Sequence, residues 1–391
     1  MRHRKIHSGT LVLISASIVS AVLGSIHAFS MFLEPLETQF ATTRSAVSLT
    51  YSFALMSLTI AVLFGPRFFG RWSAATLVLS ACAFAACGAV IAGMAGSLRT
   101  VWLGYSLIFG LANGLGYGFG LQIAAQVNPG REGLAMGVVT ASYAFGSVFS
   151  PILFGLAVEA GGFSAAMMAL AVTLIVTGVL SASLMRRAGA EYRVGKSQPS
   201  AISVSLQSQL LLWLGYFGSV MAGLMVIGHA AEIAASLRSG ISPWVAPAII
   251  AVCNLLGSLA GGRLADKASL GFLLATLALV TSIALAGLAV FGQVGGLLVA
   301  FSVIGFAYGG TIAAYPAAIA KLFGMKESAK IYGRIFTAWG CAGLLGPWFA
   351  GFLFDRNANY QLALFIASVA GLVSVLAIVI LFRNNHGSRH S

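Results

Sequence analysis

The chain has 391 residues, of which 59% are apolar and 8% charged, and a formal net charge of +13. A soluble domain carries about a quarter charged residues, so composition excludes a water-soluble enzyme or binding module and makes lipid the solvent for most of the surface. The basic balance does not mark a nucleic-acid partner, because its placement along the chain follows membrane topology instead.

Apolar stretches long enough to cross a hydrocarbon core of roughly 30 Å as helices fall at 9–33, 45–66, 73–95, 99–126, 132–158, 163–185, 208–236, 243–264, 269–291, 294–320, 328–354 and 360–382, numbered here as spans 1 to 12. A β-barrel would alternate apolar and polar residues over about ten-residue strands; this chain does not. Residues 1–7 are basic like the start of a signal peptide. The apolar run behind them is too long for a signal core and eleven spans follow, so the reading is an uncleaved first helix. Of the 22 Lys and Arg, only Arg44, Arg99, Arg238 and Arg356 fall in connections on the far side from the N-terminus. This is the positive-inside bias. It predicts a bacterial inner-membrane protein with both termini in the cytoplasm. Cys82, Cys87, Cys253 and Cys341 lie inside spans without metal or disulfide spacing and read as packing residues; no metal and no cofactor are expected.

Taken in chain order, polar residues at membrane depth are costly and face a bundle interior. Span 1 carries His27 and is followed by Glu34 and Glu37 in the outer connection. Spans 2 and 3 are joined by Gly65-Pro66-Arg67-Phe68-Phe69-Gly70-Arg71. Span 4 has Gly110, Gly114 and Gly118 on one ridge, which reads either as a sliding surface or as static packing. Asn113 and Tyr117 sit one turn apart beside it. Span 5 contributes Tyr143. A polar stretch at 186–207 reads as a cytoplasmic linker between two six-helix halves, 1–185 and 208–391. Span 7 places His229 and Glu232 on one face in its outer third. Asn254 and Ser258 share a face of span 8, and Gly261-Gly262-Arg263-Leu264-Ala265-Asp266-Lys267 leads to span 9 as a turn. Span 10 carries Gly305 and Gly309 with Tyr308 and Tyr315, and span 11 carries Trp339.

The halves repeat at an offset of 196 residues: Gly65 with Gly261, Arg67 with Arg263, Arg71 with Lys267, Gly137 with Gly333, Pro151 with Pro347, Gly155 with Gly351, Glu159 with Asp355. An even number of spans per half makes this a parallel repeat. It resembles the two halves of major facilitator transporters, whose substrate site lies between them near the midplane. The Gly261–Lys267 segment resembles the signature loop of that superfamily, and the resemblance implies a conformational latch made of Arg67, Arg71, Arg263, Asp266 and Lys267. The first half has Gly70 where the acid would stand. Span 5 (Gly137, Gly146, Ser150-Pro151, Gly155) partly resembles an antiporter motif, but span 11 repeats the spacing, so shared packing explains it.

A narrower resemblance rests on Gly24-Ser25-Ile26-His27-Ala28-Phe29-Ser30, Ala222–His229, Tyr308-Gly309-Gly310, Tyr315-Pro316-Ala317 and Phe336-Thr337-Ala338-Trp339-Gly340. In this order they are similar to the oxalate/formate antiporter and monocarboxylate-transporter-like branch. That branch often has an arginine after the mid-span glycine of span 8, where this chain has Gly257-Ser258. The resemblance therefore leaves three substrates open: a carboxylate held by neutral donors, a protonated acid, or an uncharged molecule.

The fold expected is an all-α membrane protein of twelve helices in two pseudo-symmetric six-helix bundles. The function expected is secondary active transport of a small organic acid by alternating access, with a drug or neutral-metabolite exporter as the alternative. Asn113, Tyr117, Tyr143, Asn254, Ser258, Tyr308, Tyr315 and Trp339 are the substrate-binding candidates; His27, His229 and Glu232 are the proton-coupling candidates. Partners are the bilayer, the substrate and a proton or counter-substrate, with the chain acting as a monomer. No phosphate-binding G-x-x-x-x-G-K-[ST] loop occurs, and no catalytic constellation is present, so an enzyme is not expected.

Overall fold

In the computed structural model the described residues are mostly helical. The structure describes residues 2–129, 131–193, 206–236, 245–291, 294–323 and 325–387. It divides into two compact units, Met1–Val194 and Gly195–Ser391. Among the described residues, eleven helical segments are long and apolar enough to cross a membrane. One of them, Glu132–Ala188, is bent at Gly161 and Gly162, so the described residues supply twelve spans.

In the first unit, α1 runs as an α-helix over Arg2–Leu23, tightens to a 3-10 helix over Gly24–Phe32 and ends in a short α-helix, Leu33–Phe40. It is followed by α2 (Arg44–Phe64), α3 (Ala74–Gly93) and α4 (Leu98–Val127), the last of which opens into a π-helix over Trp102–Phe109. The arms of the bent segment are α5 (132–160) and α6 (163–188). Gly162 has φ +69°, which an L side chain rarely adopts, and this lets the chain reverse there. Side chains start several helices: Thr43, Ser73 and Ser97 each accept the backbone N–H three residues on, at 3.4, 3.2 and 3.4 Å. The connection after α1 is pinned by a two-pronged ion pair, Arg44 Nε to Glu37 Oε1 at 2.6 Å and Nη2 to Oε2 at 2.9 Å.

In the second unit, α7 (Leu206–Ile227) breaks at Gly228 and His229 and resumes over Ala230–Ser236. Then come α8 (Val245–Lys267), α9 (Leu270–Phe291), α10 (Val294–Phe323), α11 (Met325–Asn357) and α12 (Gln361–Gly387). Each unit pairs its helices alike: α2 with α4 as α8 with α10, α3 with α6 as α9 with α12, and the first helix against the last two.

The glycine ridges explain those pairings. A Cβ on Gly110 would fall 2.7 Å from the Ala54 carbonyl oxygen, and one on Gly114 would overlap the Leu58 carbonyl. In the second unit Gly305 and Gly309 meet the carbonyls of Ile250 and Asn254 in the same way. These backbones touch inside one unit, which favours the packing reading of the ridge.

Three expectations are corrected. The 261–267 segment is not a turn: α8 stays helical through Lys267, since nothing there interrupts the backbone ladder. In the first half Pro66, lacking an N–H, starts a separate short helix, Pro66–Phe69. The first span is longer than 9–33, and Glu34 and Glu37 stand on its terminal helix rather than in a loop.

Candidate functional site

In the first unit the site begins at the crossing of α1 and α5. Gly24 lies against the Tyr143 carbonyl and Gly146 against the Ala21 carbonyl, so no side chain separates the two backbones. That contact sets the His27 ring edge-on to the Tyr143 ring, with centroids 5.6 Å apart. His27 Nδ1 is 2.6 Å from the Tyr51 hydroxyl. Tyr143 donates its O–H to Asn113 Oδ1 at 2.9 Å, and Asn113 Nδ2 donates to the Leu23 carbonyl at 2.8 Å. Tyr117 packs on Tyr143 at 4.7 Å and shares a 3.3 Å hydrogen bond with Thr140. All of these side chains are buried. Four sequence candidates, His27, Asn113, Tyr117 and Tyr143, therefore form one cluster of neutral donors and aromatic faces.

In the second unit two glycines of α7 make room for two rings of α10. Gly223 lies against the Tyr308 ring, and a Cβ on Gly215 would meet the Tyr315 hydroxyl at 2.8 Å. Tyr308 Oη accepts the Trp339 indole N–H at 3.0 Å. Trp339 stacks on Phe336 at 5.1 Å, and Tyr315 stacks on Tyr216 at 4.2 Å. The Tyr315 hydroxyl is buried without a hydrogen-bond partner among the described residues. Asn254 and Ser258 lie apart from this aromatic column, at the α8–α10 crossing. There the Ser258 hydroxyl is 3.3 Å from the Gly309 carbonyl and 3.4 Å from Asn254 Oδ1.

His229 sits at the α7 break and is fully buried. Its Nε2 donates to the Pro347 carbonyl at 2.8 Å, and its Nδ1 lies 3.1 Å from the Tyr360 hydroxyl. A neutral imidazole meets both partners if Nε2 carries the proton and Nδ1 accepts from the tyrosine. Glu232 is half-buried on the first turn after the break.

Of the residues expected to form a latch, Arg67 lies over the Phe64 ring at 4.7 Å, and Arg71, Arg263 and Lys267 are exposed. The Asp266 side chain lies outside the described residues. Beside it, Lys321 Nζ donates to the Ala265 carbonyl, a cation at a helix C-terminus. Where the first half lacks the acid, Phe69 is buried against Phe119 at 5.2 Å and Tyr192 at 5.4 Å. The chain beyond α6 is held there: Gln126 donates to the Arg193 carbonyl at 2.7 Å and accepts the Arg193 N–H at 2.8 Å. Burial pushes the Tyr192 phenol above its ordinary pKa.

Sequence reasoning missed Tyr51, Thr140, Tyr216, Phe336 and Tyr360. The rule that found Tyr143, a polar ring at membrane depth, applies equally to Tyr51 and Tyr216.

The Major Facilitator Superfamily sequence profile matches residues 13–315 and 273–391. An uncharacterized MFS-type transporter of Escherichia coli (strain K12), YhjX, is 25% identical over 344 residues, 85% of each chain. The oxalate:formate antiporter of Oxalobacter formigenes is 22% identical over 381 residues, covering 93% of this chain and 88% of that one. Human monocarboxylate transporter 14 is 32% identical over 136 residues, 34% of this chain and 26% of its own length. The solved structure of the proton:xylose symporter XylE superposes with a TM-score of 0.74 at 15% identity, over 94% of each chain. The fold is thus that of the two-bundle, twelve-helix carriers, and the chain, a multi-pass membrane protein working by secondary active transport and alternating access, belongs to the major facilitator superfamily.

Proposed function

We propose that this carrier moves a small organic acid of the monocarboxylate type, coupled to protons or to a counter-substrate. The observation that carries the reading is the make-up of the buried polar set. Each half offers neutral donors beside aromatic rings, and no carboxylate or cation stands among the described buried side chains. A cationic drug would need a buried acid to offset its charge. A carboxyl group instead accepts from hydroxyl, amide and indole donors, and an aromatic wall suits its apolar end. With Ser258 in place of an arginine, the acid is held by neutral donors or enters protonated.

In this reading Tyr117, Tyr143 and Asn113 in one half, and Tyr308, Tyr315, Trp339, Asn254 and Ser258 in the other, contact substrate. His27, whose ring meets both Tyr51 and Tyr143, carries the coupled proton. His229 and Glu232 are the secondary candidates, and the Arg67, Arg71, Arg263, Asp266 and Lys267 set latches one conformation. The halves 1–185 and 208–391 act as the two moving bodies, joined by the linker 186–207. The charge distribution supports cytoplasmic termini in a bacterial inner membrane, and the fold-level analogy supports a monomer. The names of the oxalate:formate antiporter and the monocarboxylate transporter support the substrate class.

The test is uptake of labelled small carboxylates by purified protein in liposomes, with and without an inward proton gradient. Uptake that collapses without the gradient indicates symport; uptake that needs a preloaded acid indicates exchange. Failure to take up any acid, with folded protein, rejects the reading in favour of export of a drug or neutral metabolite.

A further inference from the structure

The first unit also holds a cavity of about 180 Å³ between α1, α5 and α6. Its floor is the crossing where Gly146 meets the Ala21 carbonyl. Its walls are Phe145, Phe149 and Leu153 of α5, which are 45%, 48% and 60% exposed, so the cavity opens outward along them. Among the described residues no charged side chain lines it. Three hydroxyls line it, and that of Thr173 is returned to the Ala169 carbonyl at 2.8 Å. That of Ser150 is returned to the Gly146 carbonyl at 2.7 Å. That of Ser25 is buried, lines the cavity and has no hydrogen-bond partner among the described residues. A buried hydroxyl is ordinarily paired; Ser17, Ser20, Ser30 and Ser52 share this state among the described residues, and Ser25 is the one of these that lines the cavity.

The internal repeat supplies a control. At the 196-residue spacing, Ser25, Ser150, Phe145 and Phe149 are replaced by Met221, Gly346, Cys341 and Leu345. The hydroxyls and aromatic walls therefore belong to the first half alone and are not a by-product of the shared fold.

We propose that this cavity binds an uncharged single-chain amphiphile dissolved in the bilayer, of the medium-chain alcohol class. Its alkyl body lies on Phe145, Phe149 and Leu153, and its one oxygen hydrogen-bonds to Ser25. The volume is below the roughly 300 Å³ at which drug-sized sites begin, which excludes a two-chain lipid as occupant. The lack of charge excludes a headgroup. The proposal is independent of which acid the carrier transports.

The test uses the full-length protein in phosphatidylcholine vesicles and an octanol bearing a diazirine on its chain, with labelled residues mapped by mass spectrometry. Excess 1-octanol should suppress labelling of the α5 and α6 peptides that line the cavity. Those sites should be labelled several-fold more than Phe84 and Phe272, which are 61% and 73% exposed and report bulk hydrocarbon. Ala169→Phe, which fills the cavity from an exposed α6 position, should abolish the excess. Thr173→Leu is a second filling variant in case the first folds poorly. Ser25→Ala should raise the half-competing octanol concentration at least threefold. Labelling equal to that at Phe84 and Phe272, or unchanged by both filling variants, overturns the site. Competition unchanged in Ser25→Ala overturns the assigned contact.

Discussion

Gly114→Ala and Gly118→Ala make a matched pair, because the two positions share one ridge in the sequence and differ in the structure. At Gly114 the added methyl would overlap the Leu58 carbonyl, with the Leu58 Cα and carbonyl carbon each 2.8 Å away. Backbone cannot move aside as a rotamer can, so α2 and α4 must part. Overpacking of this kind costs roughly 1–3 kcal/mol, and the upper end is expected here. At Gly118 the methyl would sit 3.5 Å from Val62 Cγ2 and 4.0 Å from Phe69 Cζ, ordinary contact. There, replacing glycine in a helix gains up to about 1 kcal/mol. Thermal unfolding in detergent, read by loss of the monodisperse peak, should place Gly114→Ala below the parent and Gly118→Ala level with it or above. Equal destabilisation of the two would refute the packing argument. A stable Gly118→Ala protein that has lost transport would revive the sliding-surface reading of the ridge.

The two buried histidines should separate. His229→Ala should cost about 2–3 kcal/mol in the same unfolding assay, since it removes two buried hydrogen bonds, to the Pro347 carbonyl and the Tyr360 hydroxyl, and leaves a void where the ring packed. His27→Gln should fold normally and change the proton dependence of liposome uptake; unaltered coupling would remove His27 from the mechanism. Tyr315→Phe deletes a buried hydroxyl that has no hydrogen-bond partner among the described residues, so stability should hold or rise by about 1 kcal/mol. Its half-saturating substrate concentration should rise at least tenfold if the hydroxyl serves substrate. Gln126→Ala removes both bonds to the Arg193 backbone, and tryptic cleavage after Arg193 should accelerate at least tenfold; an unchanged rate would mean that Tyr192 alone holds the segment.

Hydropathy gives the twelve spans because crossing a bilayer is a constraint on length, and length is a local property. The repeat gives the two halves for the same reason: it needs only counting. The contacts of the site are of another kind. His27 and Tyr51 are 24 positions apart, His229 and Tyr360 are 131, and Trp339 and Tyr308 are 31. Which of them touch depends on rotation about each helix axis, and nearly uniform apolar spans leave that rotation unmarked. Asn254 and Ser258 show the limit: their shared face was readable, but its partner, the Gly309 backbone, has no side chain to announce it. The 3-10 run in α1 was not readable either, since Ser25 to Phe32 would suit an ordinary helix and the close Tyr143 backbone is a tertiary fact.

That run also stores length and twist. A 3-10 helix rises about 2.0 Å per residue against about 1.5 Å in an α-helix. The nine residues Gly24–Phe32 are therefore about 4.5 Å longer than the same residues recoiled. Their angular step is about 120° rather than 100°, so recoiling would also turn Leu33–Phe40 by about half a revolution relative to Leu23. A change of helix type confined to one span would thus draw Leu33–Phe40 toward Leu23 and swing His27 away from Tyr51, like the shortening and turning of a screw, and the Glu37–Arg44 clasp would have to open or carry the start of α2 with it.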